Sequence, residues 1–290
     1  MRLTVRDIQK MKADAKPITM LTAYDAIGAR LAEAAGVDMI LVGDTLGMVV
    51  QGHDSTIPVT LDQMIYHAEI VARVTQKPLV VGDMPFMSVQ VSAEQALANC
   101  ARMMQEAHVT AVKVEGGEFI APTIARLVEA GIPVMAHIGL TPQSVHKFGG
   151  FRLQGKEVSS AQQLIRDAQA VEAAGAFAVV LELTPTPLSQ IITQRLHIPT
   201  IGIGAGKYCD GQVQVFHDIL DLYQTFVPKH AKQYAKVGDI MRDAIANYVQ
   251  EVQQGEFPTD KQSFAMNQEE LAALRAELDK EKVNGSRPSR

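Results

Sequence analysis

The stretch VDMILVGD, residues 37–44, decides how the rest of the chain reads. Its centre is a run of Met, Ile, Leu and Val with no polar alternation, and a carboxylate closes it. A strand buried on both faces reads as a continuous apolar run, whereas a strand with one wet face alternates. Three more runs end the same way: LVVGD at 79–83, AVKVE at 111–115 and AVVLE at 178–182. An acid at the carboxyl end of such a strand faces a ligand crevice, and in a parallel barrel those ends meet at one face. Asp44, Asp83, Glu115 and Glu182 thus read as members of one shared site.

Outward from these runs, strand-like and helix-like segments alternate. ITMLTAY precedes the first acid-ended run, and VMAHIG, IPTIGIGAG and VQVFHDIL follow at 134–139, 198–206 and 213–220. The last also reads as the start of a helix. The segments between are Ala-rich or amphipathic, with Gly36, Gly131 and Gly175 as stops, and Ser92 with Gln95 forms a capping-box signal. A short amphipathic helix opens the chain near Thr4–Met11, and a polar, Gly-containing loop spans about Thr141–Glu157. Eight strands alternating with helices predict an α/β fold, a (β/α)8 TIM barrel over 1–266. An open doubly wound sheet would carry a Gly-rich dinucleotide turn after its first strand, and Tyr24-Asp25-Ala26 is not one. Residues 267–290 form a separate tail: a charged helix from Asn267 to Lys282, then a stretch from Asn284 that reads as disordered.

Composition narrows the function classes. The 290 residues are 47% hydrophobic and 20% charged, with a net charge of −5 and no clustering of Lys and Arg. That leaves no basic footprint for nucleic acid. No apolar stretch reaches the length of a membrane span, and the N-terminus lacks a signal-peptide core. Cys100 and Cys209 lie far apart in no metal-ligand spacing, so a reducing cytoplasm is the expected compartment.

The chemistry rests on the acids and their neighbours. Asp44, Asp83 and Glu115 end three successive strands, which lie about 5 Å apart in a sheet. Three hard oxygen ligands of that kind suit Mg2+; the competing reading has them capping helices or pairing with Lys and Arg. Lys113 shares the side of its strand with Glu115. It can bind a substrate carboxylate, steady an enolate, or form a structural ion pair with Glu115 or Asp83. Glu182, two strands further round, fits a general base beside a metal-bound ketone, and fits equally an ion-paired core residue. His137 can hydrogen-bond substrate, orient a ligand, or sit satisfied in the core. His53 reads as a loop residue. The glycines of GIGAG, residues 202–206, can present N–H groups to a phosphate, with plain turn geometry as the stronger reading. Met48 and Met84–Met87 read as core or as pocket lining.

These motifs together resemble the ketopantoate hydroxymethyltransferase family. The matching strings are ITMLTAYD, LVGDTLGMVVQGHDSTIPVT, GDMPFMS, VKVEGG, HIGLTPQSVHKFGGFRLQG, LEL and IGIGAG, in family order from Ile18 to Phe264. The resemblance implies a decameric (β/α)8 enzyme. Such an enzyme transfers a hydroxymethyl group from 5,10-methylenetetrahydrofolate to 3-methyl-2-oxobutanoate, forming 2-dehydropantoate for pantothenate and coenzyme A synthesis through a Mg-stabilised enolate. It implies Asp44, Asp83 and Glu115 as Mg2+ ligands, the two aspartates also bordering the oxo acid. Lys113 and Thr45 would bind substrate and Glu182 would accept the proton; His137 is counted as a further substrate contact on its place in the run VMAHIG, not on the resemblance. Thr45 stands where the family usually has Ser; it keeps the hydroxyl and adds a χ1-restricting methyl. The folate contacts are not placed by the motifs; the polar loop after His137 and the segment Met84–Met87 are the candidates. The alternatives are a Mg2+-dependent lyase or mutase of the phosphoenolpyruvate mutase and isocitrate lyase type, and a non-catalytic metabolite-binding barrel.

Overall fold

A computed structural model of the chain describes residues 1–284 except 224 and 226. Eight strands, β1 (Ile18–Thr22), β2 (Met39–Val42), β3 (Leu79–Asp83), β4 (Ala111–Glu115), β5 (Val134–Gly139), β6 (Ala178–Glu182), β7 (Thr200–Ile203) and β8 (Gly211–Gln214), pair in parallel and in chain order. Pairing of β8 with β1, Ile18 beside Gly211, closes the barrel.

The two faces of the wall explain why the strand sequences are apolar throughout. Ile40, Val42, Val80, Val112, Val114, Ala136, Ile138, Val179 and Leu181 point outward and pack under the helices. Met20, Met39, Leu41, Leu79, Val81, Ala111, Met135, Val180, Ile201 and Val213 fill the lumen. Period-two alternation is present, but both phases are buried, so it is invisible as a polarity pattern. The helix Val5–Ala13, capped reciprocally by Thr4 and Asp7, sets Ile8 and Met11 against the lumen cluster.

The helices start where their caps predict. Thr60 and Gln63 form a reciprocal cap on Leu61–Val74, and Ser92 accepts from the Gln95 N–H at the start of Ala93–Ala107. Three expectations shift. The sequence predicts a helix opened by Ser159 and Ser160; the observed helix, Val158–Ala173, opens one residue earlier, with Glu157 as its cap and Ser160 bonded back to it. The loop 141–157 contains two short helical turns, Pro142–Ser144 and Val145–Phe148. The eighth run splits: β8 begins at Gly211, two residues earlier than the run, and Phe216–Ile219 is helical. β8 begins with Gly211 and the exposed Gln212, which hid its start from an apolar-run criterion.

The chain divides into two compact units, Met1–Val237 and a second from Gly238 on. The second holds most of helix Val237–Gln254, a turn at Asp260–Gln262 and helix Gln268–Asn284, whose first turn is capped by Asn267 Oδ1 accepting from the Glu269 N–H at 2.8 Å. That helix runs through Asn284, where the sequence pattern predicts disorder to begin; the rest of that prediction, from 285 on, lies outside the described residues. Among the described residues no helix is long and apolar enough to cross a membrane.

Candidate active site

Parity carries the reactive side chains into the lumen. Leu79 and Val81 face inward, so Asp83 does too; Ala111 is followed in phase by Lys113 and Glu115, Met135 by His137, and Val180 by Glu182. Inter-strand register then sets neighbours side by side: Asp83 beside Lys113 and Glu115 beside His137. Asp44 arrives differently. β2 stops at Val42, and Asp44 follows in the turn, its N–H donating to Asp83 Oδ2 at 3.3 Å.

The aim of Glu182 depends on the backbone around it. Leu183, the next residue, has φ +43, a left-handed conformation that costs a β-substituted residue about 1–2 kcal/mol. Its N–H donates to Ile203 O, its carbonyl accepts from the Gln154 N–H, and Glu182 O accepts from the Leu140 N–H, all at 2.8–2.9 Å. Gly139 makes this approach possible: it has φ +92, and a Cβ there would stand 2.2 Å from Glu182 O.

The side chains form one buried network. Lys113 Nζ donates to both oxygens of Asp83 at 2.7 Å and lies 3.6 Å from Glu115 Oε1. Gln143 ties two acids together: its backbone N–H donates to Glu115 Oε2 at 3.1 Å, and its Nε2 donates to Asp44 Oδ2 and Met84 O at 2.9 Å. His137 sits between two carboxylates, with Nδ1 at 3.4 Å from Glu115 and Nε2 at 3.2 Å from Glu182, neither aligned as a hydrogen bond. Asp44, Asp83, Lys113, Glu115 and His137 are all at most 4% exposed; the Glu182 side chain is 14% exposed.

Burial sets the electrostatics. It pushes Asp44 well above the usual carboxylate range, and the like charges of Asp83 and Glu115 add to the push. Asp83 is also raised by burial, which Lys113 opposes and does not overcome. For Glu115 the balance reverses: burial raises it, but Lys113, His137 and the Gln143 N–H outweigh burial and hold it low. Lys113 stays firmly protonated, because three acids outweigh its own desolvation. His137 is pushed up to about 9: burial and Lys113 act against its charge, and Glu115 and Glu182 overcome them. The result is two cations and an excess of acids in a cavity of about 40 Å³, which Thr45 also lines.

Among the described residues no three His, Cys, Asp or Glu side chains are disposed as a ready metal cage. The reason is visible in the network, since Lys113 and Gln143 hold oxygens that a cation would use. The donor chemistry nonetheless suits a hard divalent ion. The acids offer oxygen only, and Glu115 Oε1 and Gln143 Oε1 are buried acceptors without a hydrogen-bond partner. Mg2+ is commonly held by one or two carboxylates, with water and substrate oxygens completing its shell.

The strand-end acids, Lys113 and His137 thus converge as the strand pattern implied. The ion-pair reading of Lys113 holds for Asp83, with Glu115 further away. Gln143 was not singled out by sequence, for it lies in a turn with no periodic signal, and only its place in the string HIGLTPQS drew notice. His53 is exposed in its loop, Met84 is buried, and Met87 is 45% exposed. In GIGAG, Gly204 and Gly206 have φ of +64 and +82, and a Cβ on Gly206 would strike Thr186, so turn geometry and close packing account for them.

Comparison with known proteins agrees with the sequence motifs. Residues 2–260 match the family model described as ketopantoate hydroxymethyltransferase. The chain is 56% identical to the 3-methyl-2-oxobutanoate hydroxymethyltransferase of Chloroflexus aurantiacus, covering 96% of this chain and 99% of that one. It is 55% identical to the same enzyme of Gluconacetobacter diazotrophicus, covering 96% and 100%. Among solved structures, the phosphoenolpyruvate phosphomutase from Streptomyces platensis subsp. rosaceus superposes with a TM-score of 0.58 at 17% identity, covering 99% of this chain and 100% of that one. A 2,3-dimethylmalate lyase of the PEP mutase/isocitrate lyase superfamily gives 0.58 at 16%, covering 98% and 99%. Those two likenesses are of fold.

Proposed function

This chain belongs to the ketopantoate hydroxymethyltransferase family, and from that premise we propose that it draws its one-carbon unit from 5,10-methylenetetrahydrofolate, with Mg2+ bound, and passes it to 3-methyl-2-oxobutanoate through an enolate. Hydroxymethyl transfer in pantothenate synthesis is the family's activity; the donor, the metal and the roles below are our reading.

The observation that supports the reading is the division among the acids. Asp44, Asp83 and Glu115 are linked through Lys113 and Gln143, whereas Glu182 stands apart and is approached by His137 at 3.2 Å. Asp44, Asp83 and Glu115 would hold Mg2+. Bound there, the ion would supply Lewis acidity that makes C3–H of the oxo acid more acidic and offsets enolate charge. Lys113 and the Thr45 hydroxyl bind the substrate carboxylate, and Asp44 and Asp83 border the oxo acid. Glu182 takes the C3 proton, and the C–H pair becomes the enolate. His137 keeps Glu182 oriented and contacts substrate. Water adds to the donor's methylene carbon and both of its C–N bonds break, the two nitrogens taking the protons, so that tetrahydrofolate leaves and the one-carbon unit is freed as formaldehyde. The enolate carbon bonds to that carbonyl carbon, and the resulting alkoxide takes the proton held by Glu182 to become the hydroxyl. We further propose a homodecamer, as the family resemblance implies, its mass checked by light scattering, and a cytoplasmic location, on the cysteine usage.

The test is exchange at C3 in deuterated water, which needs no folate. Glu182→Gln should keep oxo-acid binding and lose exchange by a factor of about 10²–10⁴, the usual worth of a positioned base. Undiminished exchange would remove Glu182 from the role.

A further inference from the structure

Two cavities share Glu115. The first is the acid site itself, at about 40 Å³ far too small for a folate. The second, about 800 Å³, opens from Glu115 and Gln143 outward between the turn after β4, the loop after β5 and the start of helix Val158–Ala173. Resting on the donor proposed above, we infer that this second cavity is the donor subsite and holds the pteridine and aminobenzoyl-glutamate of the folate.

The lining matches that chemistry part by part. Phe86, Phe119 and Phe148 give apolar ring faces for the flat pteridine and aminobenzoyl rings. Phe86 and Phe119 are 42% and 74% exposed, so their ring faces are open to a ligand in the cavity. The reduced pteridine's 2-amino-4-oxo edge presents two N–H donors side by side, which suit a carboxylate's two oxygens. Glu118 and Asp167 line the cavity together. Asp167 is fixed there, its Oδ1 accepting from the Glu118 N–H at 2.9 Å and from Gln163 Nε2 at 3.0 Å. That arrangement needs Gly117, where a Cβ would lie 2.2 Å from the Asp167 carboxyl carbon. Lys147 and Arg166, both exposed on the rim, suit the glutamate carboxylates of the tail. A donor seated here delivers its one-carbon unit at Glu115, beside the oxo acid.

A third cavity, about 770 Å³, is similar in size and carries Lys16, Lys207 and His230. It has no Phe or Tyr in its lining and does not include Glu115; it runs from the starts of β1 and β8 to Gln214, which also lines the acid site. It therefore lacks the stacking surface and the contact with Glu115 that the second cavity has.

The experiment uses the full-length Mg2+-loaded enzyme, with tetrahydrofolate binding to metal-free enzyme read by calorimetry as a second measure. Ser159→Trp places an indole in the cavity from an exposed first-turn position, and Glu118→Gln removes a carboxylate without changing shape. Both should raise the donor KM and the tetrahydrofolate Kd tenfold or more, while the oxo-acid KM and folate-free C3 exchange stay at wild-type values. Lys207→Glu, in the third cavity, should leave every parameter unchanged. Unaltered donor KM and Kd in Ser159→Trp and Glu118→Gln would overturn the subsite, as would a tenfold rise confined to Lys207→Glu. Absence of turnover with this donor in the wild-type enzyme is a different result: it would refute the proposed donor itself.

Discussion

The two ends of the barrel lumen obey one rule of geometry and differ in everything else. Towards the N-terminal ends of the strands, Met20, Met39, Leu79, Ala111, Met135 and Ile201 pack a dry core against Ile8 and Met11. One or two strand positions further on, the same inward phase carries Asp83, Lys113, Glu115, His137 and Glu182. Both ends are buried, so burial alone does not separate them. The lower end gains stability from each apolar atom it removes from water. The upper end spends part of that gain on charges held out of water, each needing a partner. A parallel barrel can carry this load because its strands are anchored by the lower layers and by the helices outside.

The sharpest way to break the comparison is to remove the cation from the upper end. Lys113→Met keeps volume and leaves Asp83, Glu115 and Asp44 without their shared positive charge. Stability in urea should fall by about 3–5 kcal/mol, the range for a buried ion pair that loses one member, and turnover should disappear. A loss below about 1 kcal/mol would mean that the network is neutralised by other means. At the lower end, Leu79→Ala should cost about 2–5 kcal/mol by opening a cavity, while kcat per folded enzyme stays close to wild type. A large change in kcat would show that the two ends are mechanically coupled.

The smallest effect concerns Asp218, a buried acid on the turn after β8, which burial raises to about 6. The folded state then binds its proton more tightly than the unfolded chain does. Stability must therefore fall as pH rises from about 4 to about 6, and the cost persists above that window. Asp218→Asn should raise Tm at pH 8 and leave it unchanged near pH 3.5. An equal shift at both pH values would point to packing instead of charge.

Much of this contrast was legible in the chain. Runs such as MILV and LVV are continuous because both strand faces are buried, and an acid after such a run has nowhere to go except the open end. Lys113 two residues before Glu115 was readable as a lumen cation for the same reason. β8 was harder, since Gly211 and Gln212 carry no apolar signal and pair only because β7 and β1 flank them. Gln143 was harder still: it reaches Asp44 and Glu115 from a turn, and no spacing along the chain brings residues 44, 115 and 143 together.

By itself the sequence determined the alternation of strands and helices, the closed parallel barrel they make, and which acids and lysine share the inward face. A two-residue period specifies the side of a strand regardless of its neighbours. Only the tertiary structure decided that Lys113 pairs with Asp83 more closely than with Glu115, that Gln143 bridges two acids, and that a large aromatic-lined cavity opens beside Glu115. Those facts depend on the register between strands and on where loops fold back over them. They are set by contacts between residues distant in sequence, which leave no local pattern to read.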